Sequence, residues 1–457
     1  MHPHDGSSTG KTPIDQSEGD ANLSAARREW TKKLDAKTRH WLKRDADVFL
    51  HQSLSTPCLD VLAACEGSGF TDLSGKLFLD FHGNSLHQAG YANPKVLEAV
   101  RRQLETLVFC PRRFTNQPAI LLAEKLARIT PGDLNRVLFA PGGTSAVGMA
   151  LKLARIATGR FKTISMWDSF HGASLDAISV GGETLFRKGI GPLLTGTAHV
   201  PPADPRHCLW NPSGRCENCG LQCARYIEYV MEKEGDIAAV IAEPIRCTRV
   251  NPQPKGYWQA VRQACDRHDA LLIFDETAVC LGRTGRMFAC EHEDVVPDIL
   301  ILGKGLGGGV FPLAAIVARE ELNVGQKIAL GHYTHEKNPA ACAVGLAAID
   351  YIEAHQLVKR SESLGRKVLA RLKANLGHHF IVDDIRGRGL LFGIELERDG
   401  SPAHHEAERI MYECLAGGLS FKVSGGNFLT LTPALTISDS KMARALDILE
   451  SAIASME

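Results

Sequence analysis

The chain reads LLIFDE over residues 271–276 and DILILGKG over residues 298–305, and these two stretches decide its predicted fold. Each contains four consecutive apolar residues, the length of a strand that is buried on both faces, and each ends near one ionisable residue. In a parallel α/β sheet, the residues at the carboxyl ends of the strands project into the ligand crevice. Asp275 and Lys304, 29 residues apart, are therefore predicted to face one pocket from two strands.

A carboxylate and an amine placed together in this way suit pyridoxal phosphate. The lysine can form a Schiff base with the cofactor aldehyde, and the aspartate can hold the pyridine nitrogen protonated. The alternative is a structural ion pair that joins two strands and binds no ligand.

Earlier segments supply what the phosphate and the ring of such a cofactor require. Residues 137–140 are predicted to form a strand, and a glycine turn and a helix over residues 146–157 follow. Gly143 allows close approach of the backbone, and Thr144 offers an N–H and a hydroxyl at the helix N-terminus, although such turns also occur for steric reasons alone. Phe170, after a predicted strand over residues 162–166, can stack on the pyridine or belong to the core.

Taken in chain order, these segments resemble the class III pyridoxal-phosphate aminotransferases of fold type I. The resemblance runs from about residue 70 to the C-terminus, and it rests on GT at 143–144, FHG at 170–172, EPI at 243–245, DE at 275–276 with GRTG at 282–285, and Lys304. It implies an α/β fold with a mostly parallel seven-stranded sheet flanked by helices. A smaller α+β domain would be built from N- and C-terminal segments.

The resemblance also implies a domain organisation. We expect a mobile tail over residues 1–23, an N-terminal arm over 24–85 with a helix over 25–44, a large cofactor domain over 86–325, and a small C-terminal domain over 326–457.

Roles for individual residues follow from the same resemblance. Lys304 would carry the Schiff base, Asp275 would pair with the pyridine nitrogen, and these two are the expected catalytic residues. Thr334 matches the threonine that reaches the phosphate of the neighbouring subunit, so we expect a homodimer with the site at its interface. The expected cofactor-binding residues are Gly143, Thr144, Phe170, His171, Glu243, Asp275, Thr277, Lys304 and Thr334.

The chain departs from glutamate-using relatives at two positions. Those relatives resemble one another in an arginine that grips the substrate α-carboxylate and in a glutamate that pairs with this arginine. The corresponding residues here are Thr430 and Thr248. A threonine cannot replace a bidentate guanidinium–carboxylate contact, which contributes roughly 1.5–3 kcal/mol as a charged hydrogen bond. The sequence therefore argues against a glutamate/2-oxoglutarate transaminase. A glutamine that relatives use at the cofactor phenol oxygen is also replaced, by Ala278.

Positive charge occurs elsewhere near the expected substrate mouth. Arginine forks fit tetrahedral oxyanions well, so they favour a small amino substrate that bears a phosphonate or phosphate. The alternative is surface or interface charge. The candidate substrate-binding residues are Arg112, Arg113, Arg246, Arg249 and His82.

Four further stretches narrow the resemblance: SLSTPCLD at 53–60, DFHGNS at 80–85, APGGTS at 140–145 and GHYTHEK at 331–337. They are similar to the ammonia-lyases that act on (R)-1-hydroxy-2-aminoethylphosphonate in the bacterial breakdown of 2-aminoethylphosphonate. This similarity implies loss of hydroxide next to the amine-bearing carbon and release of phosphonoacetaldehyde and ammonia, with no keto acid consumed. His82, His171 and Thr277 are candidates for the acid that assists hydroxide loss.

Two alternatives from other functional classes remain open. One is an ω-amine transaminase that uses pyruvate or another small acceptor. The other is a non-catalytic cofactor-binding protein, against which the presence of Lys304, Asp275 and Glu243 argues.

A cysteine-rich segment has no place in this scheme. Cys216 and Cys219 have the C-x₂-C spacing that lets two thiolates share a tetrahedral metal ion. With Cys208 and Cys223 they are predicted ligands of a structural zinc. The default is a loop of reduced cysteines, because one C-x₂-C without a second pair at standard spacing is a weak signal and disulfides are rare in the cytosol.

Composition indicates a cytoplasmic enzyme. The 457 residues include 52 basic and 52 acidic side chains, so nucleic acid and anionic membranes are not expected partners. The longest apolar runs fall short of the ~18 residues that a membrane span needs. The first thirty residues are polar and lack the apolar region of a secretory signal.

Overall fold

The computed structural model describes residues 23–211, 216 and 219–456, and the predicted tail therefore lies outside the described residues except for Leu23. The strands are β1 Leu62–Glu66, β2 Gly69–Asp72, β3 Leu77–Asp80, β4 Leu134–Ala140, β5 Lys162–Met166, β6 Thr197–Val200, β7 Ile237–Ala242, β8 Ile245–Arg246, β9 Asn251–Pro252, β10 Leu271–Asp275, β11 Ile299–Leu302, β12 Ala314–Arg319, β13 Val382–Arg388, β14 Leu391–Arg398, β15 Ser401–Pro402, β16 Leu419–Ser420, β17 Lys422–Ser424 and β18 Phe428–Leu431. The α-helices are α1 Ala25–Lys33, α2 Ala36–Val48, α3 Pro94–Thr106, α4 Gln117–Ile129, α5 Gly143–Thr158, α6 Leu175–Val180, α7 Thr184–Arg187, α8 Gln222–Glu234, α9 Tyr257–Arg267, α10 Pro339–Ala354, α11 Leu357–Leu376, α12 His404–Gly417 and α13 Asp439–Ala454.

The large sheet has seven strands in the order β4-β12-β11-β10-β7-β5-β6. Strand β12 runs antiparallel to both of its neighbours, and the other pairings within the sheet are parallel. This arrangement confirms the predicted fold class. The β10 and β11 strands are direct neighbours, with Asp275 opposite Ile301.

Helices cover both faces of this sheet, which explains why its central strands β7 and β11 are apolar at every position and β10 is apolar up to Asp275. Ile273 and Ile301 pack on one face with buried residues of α5 such as Ala150. Phe274 and Leu300 face the other side, where they join the main core of the chain. Because neither face of β10 or β11 meets water, a polar residue fits only at the strand end, where Asp275 stands.

Two further sheets combine the N- and C-terminal segments. One has the order β1-β2-β3-β16, and β16 pairs in parallel with β3, so the N-terminal arm and the C-terminal region share a sheet. The other has the order β13-β14-β18-β17, with β15 added to β14. These sheets give the expected smaller α+β region, whose boundaries stay a prediction.

The single helix predicted over residues 25–44 is wrong. The structure has two helices, α1 and α2, with a break at Leu34 and Asp35. The Asp35 carboxylate accepts hydrogen bonds from the N–H groups of Lys37 and Thr38, and this N-cap starts a new helix.

None of the helices in the described ranges combines the length and the apolar character that crossing a bilayer requires.

Candidate active site

A cavity of about 430 Å³ opens at the carboxyl ends of β4, β5, β10 and β11. Seven of the nine expected cofactor-binding residues line it, and Glu243 and Thr334 do not. The lining residues are Leu86, Gly142, Gly143, Thr144, Phe170, His171, Gly172, Asp275, Thr277, Lys304 and residues 309–313.

One end of the cavity is shaped for an anion. Helix α5 begins at Gly143, and its N-cap Gly142 makes no side-chain cap, so the N–H groups of the first turn remain available to a ligand. Gly172 has φ +127°, and a Cβ there would lie 2.5 Å from Oγ1 of Thr144. A side chain at Gly143 or Gly172 would narrow the space beside the helix terminus. The two glycines therefore keep this space free for a phosphate.

The floor of the cavity carries a buried carboxylate. Nδ1 of His171 lies 2.8 Å from Oδ2 of Asp275, and the backbone N–H of Thr277 donates to Oδ1 at 3.0 Å. Burial alone would raise the pKa of Asp275, but the His171 contact and the Thr277 hydrogen bonds bring it below its usual value. Asp275 is thus an anion, as a partner for a protonated pyridine nitrogen must be.

Glu243 does not line the cavity, but it contacts a residue that does. Its Oε1 accepts the backbone N–H of Phe170 at 3.2 Å and so fixes the residue expected to stack on the cofactor ring. The Phe170 ring lies 4.5 Å from that of Phe186, between centroids. Burial raises the pKa of Glu243.

Lys304 follows β11 directly and opens a 3₁₀ turn over Lys304–Gly307. Its φ is +44°, in the left-handed region that non-glycine residues rarely adopt. Such backbone strain is concentrated at functional sites. An amine, a buried carboxylate, an aromatic ring and a helix N-terminus in one cavity fit pyridoxal phosphate.

The loop that carries His82 adjoins Lys304. Asp80 Oδ1 accepts the N–H groups of His82 and Gly83, and Thr432 Oγ1 donates to the carbonyl of His82. Burial lowers the pKa of His82, and the charge of Lys304 adds to this effect. His82 is therefore a neutral imidazole near Lys304 at neutral pH.

None of the four candidate arginines lines the cofactor cavity. Arg112 contacts His332, with Nη2 2.6 Å from Nε2, in a different cavity. Arg113 is exposed.

The other two arginines lie on the segment after Glu243. Arg246 is 3.6 Å from a Glu183 oxygen and 3.9 Å from an Asp168 oxygen, which directs it away from the cofactor cavity. Arg249 lies close to Gly425. A Cβ added at Gly425 would be 2.7 Å from Nη2 of Arg249. Arg246 and Arg249 line one small cavity of their own, and none of the four arginines lines the cofactor cavity, so their role in substrate binding stays a prediction.

Thr334 is exposed in the loop before α10 and lies outside the cofactor cavity. Its expected contact with a neighbouring subunit stays a prediction.

The zinc prediction is not supported. Across residues 23–211, 216 and 219–456, no group of three or more His, Cys, Asp or Glu side chains is arranged to hold a metal ion. The Cys219 thiol is directed at the carbonyl of Cys216, 3.3 Å away. Burial raises the pKa of Cys216, and that of Cys223 to about 12, so both favour the thiol over the thiolate that zinc binds. Cys208 is likewise a free cysteine.

Thr430 and Thr248, the predicted positions of the missing arginine and its partner glutamate, contact each other in the structure. Thr430 Oγ1 donates to the carbonyl of Thr248 at 2.5 Å and lies 2.9 Å from Oγ of Ser424. Lys422 lies opposite Thr430 in the pair of β17 and β18, and no sequence motif indicated this position. The available signal was a lysine between Phe421 and Val423 in a strand that is otherwise apolar.

Comparisons with known proteins agree with this geometry. The sequence pattern of Aminotransferase class-III matches residues 53–453. An (R)-1-hydroxy-2-aminoethylphosphonate ammonia-lyase of Vibrio splendidus is 48% identical, over 96% of this chain and 95% of the relative. A leucine/methionine racemase of Thermococcus litoralis is 34% identical, over 91% and 95% of the two chains.

Solved structures give the same result. A Bacillus anthracis aminotransferase superposes with a TM-score of 0.84 at 30% identity, over 93% of this chain and 100% of the other. An amine transaminase from an uncultivated Pseudomonas species, in its PLP-bound form, gives a TM-score of 0.83 at 30% identity, over 89% and 98%. A lyase, a racemase and transaminases thus share this architecture, so the reaction depends on residues around the cofactor.

Proposed function

The chain belongs to the class-III aminotransferases, a family of pyridoxal-phosphate enzymes, and we propose that it is a lyase that eliminates ammonia from (R)-1-hydroxy-2-aminoethylphosphonate. The observation that carries the proposal is the hydrogen bond from Thr430 to the carbonyl of Thr248. This contact stands where transaminases that use glutamate resemble one another in a carboxylate-binding arginine and its glutamate. Without this arginine, the carboxylate of a keto-acid acceptor has no bidentate contact. An elimination needs no acceptor.

The residues of the cavity supply the steps of this reaction. Bound pyridoxal phosphate would make the hydrogen on the amine-bearing carbon acidic by withdrawing electrons from it. Lys304 would accept that proton, and Asp275, kept ionised by His171, would hold the pyridine nitrogen protonated. Gly143 and Thr144, at the start of α5, would hold the phosphate, and Phe170 in the cavity lining would pack on the ring.

Elimination then follows from the substrate itself. The carbon–oxygen bond at the neighbouring carbon breaks, and hydroxide leaves with a proton as water. Of the predicted acids, His171 is held by Asp275, and His82 lies within the electrostatic influence of Lys304. Lys304 would take back its place in the site as the product leaves as a free enamine, which tautomerises to an imine. Water hydrolyses the imine to phosphonoacetaldehyde and ammonia, so the water lost is regained and no electrons are transferred to an acceptor.

The test is to incubate the holoenzyme with racemic 1-hydroxy-2-aminoethylphosphonate without a keto acid and to measure ammonia released per bound cofactor. Many turnovers support the lyase. A single turnover that resumes when pyruvate is added identifies an ω-amine transaminase instead. Absence of any reaction removes this substrate and leaves the family assignment intact.

We also propose that the protein is a cytoplasmic homodimer with the domain boundaries given above. Support for the dimer comes from apolar side chains that the single chain leaves exposed between α3 and α4, among them Val108, Phe109 and Phe114. Light scattering at micromolar concentration tests the dimer, and a monomeric mass contradicts it.

A further inference from the structure

Behind Thr144, three polar side chains form a continuous hydrogen-bond chain. Oγ1 of Thr144 lies 2.6 Å from Oγ of Ser174, and the Ser174 hydroxyl in turn contacts Oδ1 of Asp176. The backbone N–H of Ser174 also donates to Oγ1 of Thr144, at 3.4 Å. Thr144 lines the cofactor cavity, whereas Ser174 and Asp176 do not. The hydrogen-bond chain therefore leads from the phosphate end of the cavity to a carboxylate outside it.

The fold makes room for this carboxylate. Asp176 is half-buried in the first turn of α6, and it packs on α5 at Gly148, where an added Cβ would be 2.5 Å from Oδ2. The backbone N–H of Ala177 donates to Oδ1 at 3.0 Å. A side chain at position 148 would displace the carboxylate, and the hydrogen-bond chain would lose its end.

The donor in each of these contacts follows from the carboxylate at the end. An ionised carboxylate has no proton to give, so the Ser174 hydroxyl donates to Asp176. Ser174 has one hydroxyl proton, and its Oγ is therefore the acceptor for the hydroxyl of Thr144. Of the two lone pairs on Oγ1 of Thr144, one accepts the Ser174 N–H and the other is left for a ligand. Toward the cavity, the Thr144 hydroxyl is thus an acceptor.

The charge of a phosphate decides whether it can meet such an acceptor. A phosphate dianion offers only acceptors, whereas a monoanion carries one proton that it can donate. The titratable groups that line the cavity with Thr144 are Lys304, Asp275 and His171. The N–H groups at the start of α5 favour the more negative form, and the hydrogen-bond chain opposes them. Asp176 adds negative charge at the end of this chain, which also disfavours a second charge on the phosphate.

We propose that Ser174 and Asp176 are positioning residues of the phosphate site: they hold the Thr144 hydroxyl as an acceptor, so that the cofactor phosphate retains its last proton to higher pH and donates it to Thr144. Thr144 contacts the ligand, and the other two residues act through it. The assignment rests on the cofactor and not on the reaction. Its consequence for the substrate rests on the proposed function, because a cofactor phosphate with one negative charge fewer repels an incoming phosphonate less.

The test is phosphorus NMR of the holoenzyme without substrate, which measures the midpoint pH at which the cofactor phosphate loses its last proton. Ser174→Ala breaks the hydrogen-bond chain and leaves the charge of Asp176 in place. Asp176→Asn supplies an amide N–H that can donate to Ser174, so that Thr144 can in turn donate to the phosphate. We expect the midpoint to fall by about one pH unit in each variant, the scale for loss of one hydrogen bond to a charged group. Ser174→Thr keeps the hydroxyl and should titrate like the wild type.

Two exposed positions provide matched controls. Ser363→Ala, on α11, removes a hydroxyl, and Asp399→Asn, directly after β14, removes a carboxylate, and both should leave the midpoint unchanged. A lower midpoint in Asp176→Asn without one in Ser174→Ala would show that charge alone acts, which overturns the role of the hydrogen-bond chain. The same midpoint in the wild type and in both of these variants overturns it as well. Because the titration contains no substrate, a failure of the proposed lyase reaction does not alter its result.

Discussion

Nδ1 of His171 lies 2.8 Å from Oδ2 of Asp275, and both side chains are buried at the floor of the cofactor cavity. The imidazole orients the carboxylate and contributes to the lowering of its pKa against the opposing effect of burial. His171 is thus a positioning residue that acts through Asp275, and this relationship gives a direct prediction.

Replacing His171 by Gln removes the imidazole contact that lowers the pKa of the Asp275 carboxyl. Burial then dominates and the pKa of Asp275 rises, so the acid limb of the kcat profile should move to higher pH. We expect kcat at neutral pH to fall about 10- to 100-fold, the range for residues that orient a functional group. A fall in kcat without movement of the acid limb would contradict this role. His199→Gln, outside the cavity lining, should leave the acid limb in place.

Lys304→Ala should abolish ammonia release because the chain loses its proton acceptor. Reduction of the wild-type holoenzyme with borohydride should fix the cofactor mass on the peptide that contains Lys304, as peptide mass spectrometry would detect. Labelling of another lysine in the wild type would overturn the assignment.

Gly172→Ala should weaken cofactor binding. The added methyl would lie 2.5 Å from Oγ1 of Thr144, so Thr144 must move away from the phosphate position. Gly159→Ala is the matched control, since Gly159 also has a positive φ but has no atom within 4 Å of an added Cβ. We expect a dissociation constant for pyridoxal phosphate at least tenfold higher in Gly172→Ala alone. Equal effects in both variants would show that backbone strain, and not Thr144, is responsible.

Glu395 predicts a pH-dependent contribution to stability. Although burial opposes it, contacts with His207 and Arg386 lower the pKa of Glu395 to about 2, below its ordinary value near 4.5. A depressed carboxyl pKa stabilises the fold above pH 4.5, and this stability is lost as the pH falls toward 2. Glu395→Gln should therefore lose roughly 3 kcal/mol at pH 7.

Denaturant titrations at pH 7 and pH 4 check this expectation, because the difference between wild type and variant should be smaller at pH 4. A difference that is constant with pH would mean that the variant acts through packing and not through the charge.

Arg283 ties the large sheet region to the C-terminal segments. It is fully buried, and its Nη1 donates to the carbonyls of Leu390, at 3.0 Å, and Pro433. Arg283→Met leaves both carbonyls unpaired, which should cost about 2–5 kcal/mol of unfolding free energy. The exposed Arg286, in the same loop, serves as the control, and Arg286→Met should change the unfolding midpoint little. Similar losses in both variants would exclude the carbonyl contacts as the cause.

The sequence by itself determined the large sheet and the centre of the candidate site. Runs of four apolar residues predict strands buried on both faces, and such strands leave room for a polar side chain only at their ends. Asp275 and Lys304 therefore had to face one crevice, and the glycine turn before Thr144 had to begin a helix. These inferences depend on local pattern and on the geometry common to parallel sheets.

Only the tertiary structure decided what surrounds that centre. The hydrogen bond between Thr430 and Thr248 and the contact of His171 with Asp275 each join residues far apart in the chain. Periodicity and spacing specify which face of a strand is buried, but they do not specify which distant segment packs on that face. That choice follows from how the C-terminal sheet lies against residues 245–250, and the volumes and hydrogen bonds at that contact determine it.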